Sequence, residues 1–221
     1  MKAMILAAGR GERLRPLTDS TPKPLLKVGE KSLIEYHLYK LEKAGIKEVI
    51  INTAWLGEQI QQSLGKGEKY NLSIQYSDEG DQALETAGGI IKALPLLGNE
   101  PFLIINGDIF TDYDFKQLLN IELNGEAHLI MVENPDHNIK GDFALKNNLL
   151  ENAGDSLYTY SGIGIYTKQF FAGYPEGVTA LAPILKEKIA QQKVSGELFQ
   201  NAWTDVGTKE RLQQLNDQAN L

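Results

Sequence analysis

Short apolar runs alternate along the chain with stretches whose apolar positions recur at helical spacing. The first run is Lys2–Ala7, followed by a long Gly- and Arg-containing loop that reaches Val28. Ser32 and Glu35 then form a capping-box pattern ahead of Leu33–Ala44, an amphipathic helix stopped by Gly45. Val49–Ile51 predicts a strand, Gln59–Leu64 a short helix and Leu72–Tyr76 a further strand. A helix starting near Thr86 runs through Ile90–Leu97. Phe102–Ile105 is apolar throughout, as expected of a central strand buried on both faces. The second half is less regular. Ala127–Val132 and Tyr158–Tyr166 are strand-like, and Asp142–Asn152 reads as a hairpin turning at Asn147-Asn148. Helices are expected at Leu181–Gln191 and Lys209–Gln218. This alternation predicts an α/β, Rossmann-like architecture with a mainly parallel central sheet flanked by helices. No repeat or linker is visible, so one domain over residues 1–221 is expected.

Composition narrows the class. The 221 residues are 42% hydrophobic and 23% charged, ordinary for a globular protein, and contain no cysteine, which excludes disulfides and thiolate metal sites. The apolar run after Lys2 is six residues long and ends at Gly9-Arg10, too short for a signal-peptide core. With no stretch long enough for a membrane helix, the expectation is a cytoplasmic protein without a membrane partner. A formal net charge of −7 argues against nucleic acid as a partner. Its distribution is uneven. Residues 1–27 hold six basic groups against two acidic ones, a local +4, while the remainder holds 16 basic and 27 acidic groups. A basic N-terminal segment on an acidic body is either a site for a polyanion or a solvated surface loop.

Four segments carry candidate chemistry. Ala8-Gly9-Arg10-Gly11-Glu12-Arg13 follows the first strand directly, where Gly-rich turns aim backbone N–H groups at phosphate oxygens. Leu14 stands where the dinucleotide fingerprint needs its third Gly, which disfavours a dehydrogenase, and no Gly-Lys-Ser/Thr of a P-loop follows. The arginines interleaved in this turn favour phosphate, because guanidinium forks match its oxygens. Pro22 and Pro24 stiffen the chain around Lys23, so its ammonium is either presented to a phosphate or simply exposed in a Pro-rich loop. Asn106-Gly107-Asp108 ends the apolar Phe102–Ile105 run. A carboxylate there is either a Mg²⁺ ligand or an Asx turn, and Asp205 in Trp203–Thr208 offers a second carboxylate. Gly88 and Gly89, after Thr86, either admit a flat base or serve tight packing. His37, His128 and His137 lack metal-ligand spacing and are read as structural.

Taken together, the chain resembles the sugar nucleotidyltransferase family. The resemblance rests on Gly9 to Leu14, Pro22-Lys23-Pro24, Gly107-Asp108 and Asp205 with Gly207-Thr208, in family order over nearly the whole length. Within the family it is most similar to the branch acting on N-acetylmuramate α-1-phosphate in cell-wall recycling. Ile34–Leu38, Ala54–Gly57, Leu84–Thr86, Lys92–Gly98, Thr111–Phe115, Lys140–Phe143 and Tyr160–Gly162 carry that likeness. One departure stands out: Leu149–Thr159 contains neither Lys nor Pro, so the Glu-Lys-Pro element that grips the sugar phosphate in many members is missing.

The resemblance implies a nucleotide-diphospho-sugar transferase fold with a small sugar-binding β-hairpin, and transfer of UMP from UTP to a sugar 1-phosphate with loss of pyrophosphate. It implies Arg13 and Lys23 as catalytic. Ala8, Gly9, Gly11, Glu12, Arg13, Lys23, Thr86 and Gly88 would bind nucleotide, and Asn106, Gly141, Asp142 and Ser161 the sugar. Asp108 and Asp205 would hold Mg²⁺. Lys140 is offered to the lactyl carboxylate of muramate only by its proximity to Gly141. The alternatives are a family member using another sugar phosphate, of mannose or glucose type, and a homologue that senses nucleotide sugars without turnover.

Overall fold

The computed structural model describes residues 1–80 and 83–219. In chain order its elements are β1 (Ala3–Leu6), α1 (Leu17–Ser20), β2 (Lys27–Val28), β3 (Lys31–Ser32), α2 (Leu33–Ala44), β4 (Glu48–Thr53), α3 (Gly57–Leu64), β5 (Ser73–Asp78) and α4 (Glu85–Leu97). There follow β6 (Phe102–Asn106), β7 (Ile109–Thr111), β8 (Ala127–Val132), β9 (Ala144–Lys146), β10 (Leu149–Glu151), β11 (Thr159–Tyr166), α5 (Leu181–Ala190), β12 (Val194–Phe199), β13 (Trp203–Asp205) and α6 (Lys209–Ala219).

Nine strands form one sheet in the order β5-β4-β1-β6-β11-β8-β12-β10-β9. The β5, β4, β1 and β6 pairings are parallel, as is β8 with β12, whereas β11 runs antiparallel to both β6 and β8. Strand alternation sorts the core into two layers. Ala3, Ile5, Val49, Ile51, Leu103 and Ile105 pack under α2 and α3. Met4, Ile50, Phe102 and Ile104 face α4 and α5. Because helices cover both faces, every position in these strands is free to be apolar, which is why the runs read as continuous.

Local signals agree with the elements. The capping box at α2 forms, with the Ser32 N–H donating to Glu35 Oε2 at 2.9 Å, and Gly45 closes the helix in the left-handed region. The β9–β10 hairpin turns through Asn147 and Asn148 at φ of 50° and 62°, the geometry that two-residue hairpins need. This hairpin forms the edge of the main sheet.

Two features are absent from the sequence pattern. Strand β12 is interrupted by Ser195, Gly196 and Glu197, yet it lies inside the sheet. Its polar residues are satisfied laterally: Ser195 Oγ lies 2.9 Å from His128 Nδ1, and Glu197 accepts from the Tyr113 hydroxyl at 2.7 Å. The second feature is the pairing of β7 with β13, which brings the region after Asp108 against the chain leading to α6. No helix among the described residues is long and apolar enough to cross a membrane.

Candidate functional site

The site lies at the carboxyl ends of the parallel strands, where open α/β sheets place their ligands. The chain leaving β1 turns through Ala7–Gly11 and then makes a single 3-10 turn, Glu12–Leu14. Leu14 is buried and belongs to a cluster with Leu26, Val28, Leu33, Val206 and Leu212. That cluster fastens the turn to the C-terminal helix. Gly11 has φ +67°, and a Cβ there would lie 2.9 Å from Thr18 and 3.3 Å from the Lys23 Cβ, so glycine lets the two segments close on each other.

A cavity of about 230 Å³ opens above this turn. Ala8, Gly9, Gly11, Lys23, Thr86, Asn106 and Asp108 all line it. Lys23 is largely buried, with a side chain 11% exposed, and its Nζ meets Asp108 Oδ2 at 2.5 Å. A second cavity of about 510 Å³ adjoins the first and shares Glu85, Thr86 and Asn106 with it. Gly141 and Asp142 line the second cavity, beside Phe143 and Tyr160. The arrangement has two compartments meeting at Asn106 and Thr86, with an ammonium and a carboxylate in the wall of the first.

Asn52 and Glu79, at the ends of β4 and β5, also line the first cavity and are not singled out by the sequence pattern. The Ala7 N–H donates to Asn52 Oδ1 at 2.7 Å, and Asn52 Nδ2 donates to Glu79 Oε1 at 2.6 Å. Glu79 Oε2 accepts the Leu84 N–H at 2.7 Å. This chain of bonds ties the turn after β1 to the start of α4. Their only sequence signal is a polar residue ending an apolar strand. Glu85, shared by both cavities, has φ +58°, a left-handed conformation uncommon for a residue with a side chain.

Several expected residues lie elsewhere. Arg10 stacks on Trp55 at 3.8 Å and bonds Asp19, which also takes Arg15, so two of the three arginines in this region brace the loop. Glu12 and Arg13 are exposed on the 3-10 turn and line neither cavity. Arg13 makes no side-chain hydrogen bond or ion pair among the described residues. Gly88 lines neither cavity: a Cβ there would fall 2.0 Å from the Gly177 carbonyl oxygen, and its N–H donates to the Thr179 carbonyl. Of the two roles open to it, tight packing is the one observed. Ser161 is buried and lines neither cavity, its Oγ accepting from the Ile163 N–H and its carbonyl from Trp203 Nε1. Lys140 is exposed and lines neither cavity.

Asp108, in the turn between β6 and β7, lies beside the end of β13, as Asp205 pairs with Ile109 and the Val206 N–H donates to the Asp108 carbonyl at 2.7 Å. Asp205 does not line the first cavity. Its carboxylate is held by Arg211 and by His137 Nε2 at 3.0 Å, a placement of His137 that spacing alone did not reveal. No group of three or more His, Asp or Glu suited to a metal exists among the described residues. The chain therefore offers two hard carboxylates, each neutralised by a side-chain cation. That donor number is what Mg²⁺ takes when water and phosphate oxygens complete its octahedron.

The family model described as nucleotidyl transferase matches residues 2–141. The chain is 51% identical to the N-acetylmuramate alpha-1-phosphate uridylyltransferase of Neisseria meningitidis serogroup B, over 97% of this chain and 96% of that protein. It is 32% identical to the enzyme of the same name from Caulobacter vibrioides, over 93% and 91% of the two chains. Its fold matches a Bacillus anthracis protein, provisionally assigned as a glucose-1-phosphate thymidylyltransferase and crystallised with sucrose. The TM-score is 0.88 at 26% identity, covering 99% of this chain and 95% of that one. The same turn, lysine and strand-end aspartate that build the first cavity lie within the matched region, and the chain belongs to the nucleotidyl transferase family.

Proposed function

We propose that this protein transfers UMP from UTP to N-acetylmuramate α-1-phosphate, giving UDP-N-acetylmuramate and pyrophosphate, in cytoplasmic peptidoglycan recycling. The observation that carries this reading is the near full-length identity to enzymes of that name, joined to a site with two compartments meeting at Asn106 and Thr86. In this reading the triphosphate occupies the first compartment and the sugar the second.

In this reading an oxygen of the sugar phosphate attacks the α-phosphorus in line, and the bond to the β-phosphate oxygen breaks to release pyrophosphate. No side chain becomes covalently attached. The chain contributes position and charge. Backbone N–H groups of Ala8–Gly11 hold phosphate oxygens. Lys23 exchanges its contact with Asp108 for the α-phosphate and the incoming phosphate, lowering the repulsion between two anions. Arg13, exposed beside the turn, reaches the departing β- and γ-phosphates from solvent. Mg²⁺ held by Asp108 and Asp205 would supply neutralising charge at the α-phosphate.

The test is pyrophosphate release with Mg²⁺ and UTP, comparing N-acetylmuramate, N-acetylglucosamine, glucose and mannose 1-phosphates, with the other triphosphates as controls. Turnover confined to UTP and the muramate acceptor supports the proposal. Turnover with another pair keeps the chemistry and replaces the substrate, and silence across the panel favours a non-catalytic, nucleotide-sugar sensing homologue.

A further inference from the structure

The second cavity holds a cation that the chemistry above does not use. Lys186 lines it from α5, on the helix face that also presents Leu181, Ala182 and Leu185. These positions follow the i, i+4 spacing of one helix face. Lys186 is the one basic side chain lining this cavity among the described residues, and it makes no side-chain hydrogen bond or ion pair there. Its neighbour in sequence Lys188 differs, being buried and bound to Glu126 at 2.6 Å. Asp142, which also lines the cavity, is engaged by its own loop: one oxygen accepts from Asn138 and the other from the Tyr160 N–H at 2.8 Å. The rest of the wall mixes the apolar Phe143, Leu181 and Leu185 with the polar residues Glu85, Asn106 and Tyr160.

Each compartment thus has one lysine. Lys23 lines the first alone and Lys186 the second alone. A sugar 1-phosphate needs one cation at its phosphate. A second one, exposed at the rim of a compartment partly walled by apolar side chains, matches an acceptor that carries another anion on its ring next to small apolar groups. N-acetylmuramate has that chemistry, since its 3-O-lactyl ether presents a carboxylate and a methyl group.

We propose that Lys186 is the counter-charge for the lactyl carboxylate and determines acceptor specificity. This rests on the proposed function above. A charge-assisted hydrogen bond at a partly solvated rim corresponds to about tenfold in affinity.

The test compares wild type, Lys186→Ala and Lys186→Arg with two acceptors. N-acetylmuramate 1-phosphate and N-acetylglucosamine 1-phosphate share the ring and phosphate, and only the first has the lactyl group. Steady-state kinetics with UTP are paired with equilibrium binding of each acceptor, which reads out even where turnover is slow. Expected is a rise of about tenfold in KM and Kd for the muramate acceptor in Lys186→Ala, with kcat little changed. The glucosamine acceptor is unaffected, and Lys186→Arg restores binding. Equal losses for both acceptors would assign Lys186 to the phosphate or to folding and overturn the proposal. So would unchanged muramate kinetics in Lys186→Ala when the wild type turns that acceptor over. Wild-type protein that neither binds nor uses the muramate acceptor overturns the proposed function as well.

Discussion

Lys23 Nζ and Asp108 Oδ2 lie 2.5 Å apart although 85 residues separate them in the chain. The lysine comes from a Pro-bounded turn and the aspartate from the turn after β6, so the contact joins two of the segments that wall the first cavity. It places a cation and a potential metal ligand at one point, where substrate phosphates would compete for both. On the proposed mechanism, replacing either residue would remove charge stabilisation at the reacting phosphorus. Lys23→Ala and Asp108→Ala are each expected to lower kcat by on the order of 10²–10³. Near-normal turnover by a well-folded Asp108→Ala protein would remove Asp108 from the metal assignment.

Chelation provides a separate check on the metal. Treatment with EDTA is expected to abolish pyrophosphate release, and Mg²⁺ to restore it. Asp205→Asn should raise the Mg²⁺ concentration needed for half-maximal rate. An Asp205→Asn enzyme with an unchanged Mg²⁺ dependence would leave Asp205 with only its Arg211 and His137 contacts.

Glu79 is buried and accepts from Asn52 on one oxygen and from Leu84 on the other. Glu79→Gln forces a donor against one of these donors. The expected cost is about 1–3 kcal/mol of stability, together with a raised KM for nucleotide, because the turn after β1 and the start of α4 lose their common anchor. Urea unfolding and UTP kinetics measure the two effects. A variant with unaltered nucleotide KM would show that the chain of bonds is not needed to shape the cavity.

Gly88→Ala tests packing against ligand binding. The added Cβ meets a backbone carbonyl, which cannot rotate away as a side chain could. A loss of about 1–3 kcal/mol is expected, and each kcal/mol lowers Tm by about 2–4 °C at this chain length. Calorimetry reads this directly, and an unshifted Tm would mean that the 177–179 segment yields freely.

The Glu35 carboxyl illustrates an acid dependence built into the fold. Burial opposes its ionisation, but bonds from the Ser32 N–H, Lys69, the Ser32 hydroxyl and Tyr70 outweigh it and hold the group at about 2, against an ordinary 4.5. A depressed folded-state value adds stability above the unfolded value. That contribution fades as pH falls from about 4.5 toward 2. Glu35→Gln preserves the cap but cannot ionise. It should cost about 1–2 kcal/mol at pH 7, discounted for partial exposure, and the difference from wild type should shrink by pH 3. A pH-independent difference would assign the loss to packing.

Local order was legible because its causes are local. The α2 capping box, the Gly45 stop and the Asn147-Asn148 turn each follow from a few adjacent residues. The runs of β1, β4 and β6 follow from burial on two faces. The turn after β1, Lys23 and Asp108 were also visible, since strand ends and glycine-rich turns have a sequence form. Strand β12 was not, because its Ser195 and Glu197 take partners 67 and 84 residues away in His128 and Tyr113. The same reason hid the Asn52–Glu79 link, left Gly88 and Ser161 out of both cavity walls, and placed Lys186 rather than Lys140 in the wall of the second cavity. Periodicity and turn chemistry determine which elements form and which residue types end them. Only the packed chain decides which of those ends meet, because contacts between distant segments depend on the register of the whole sheet.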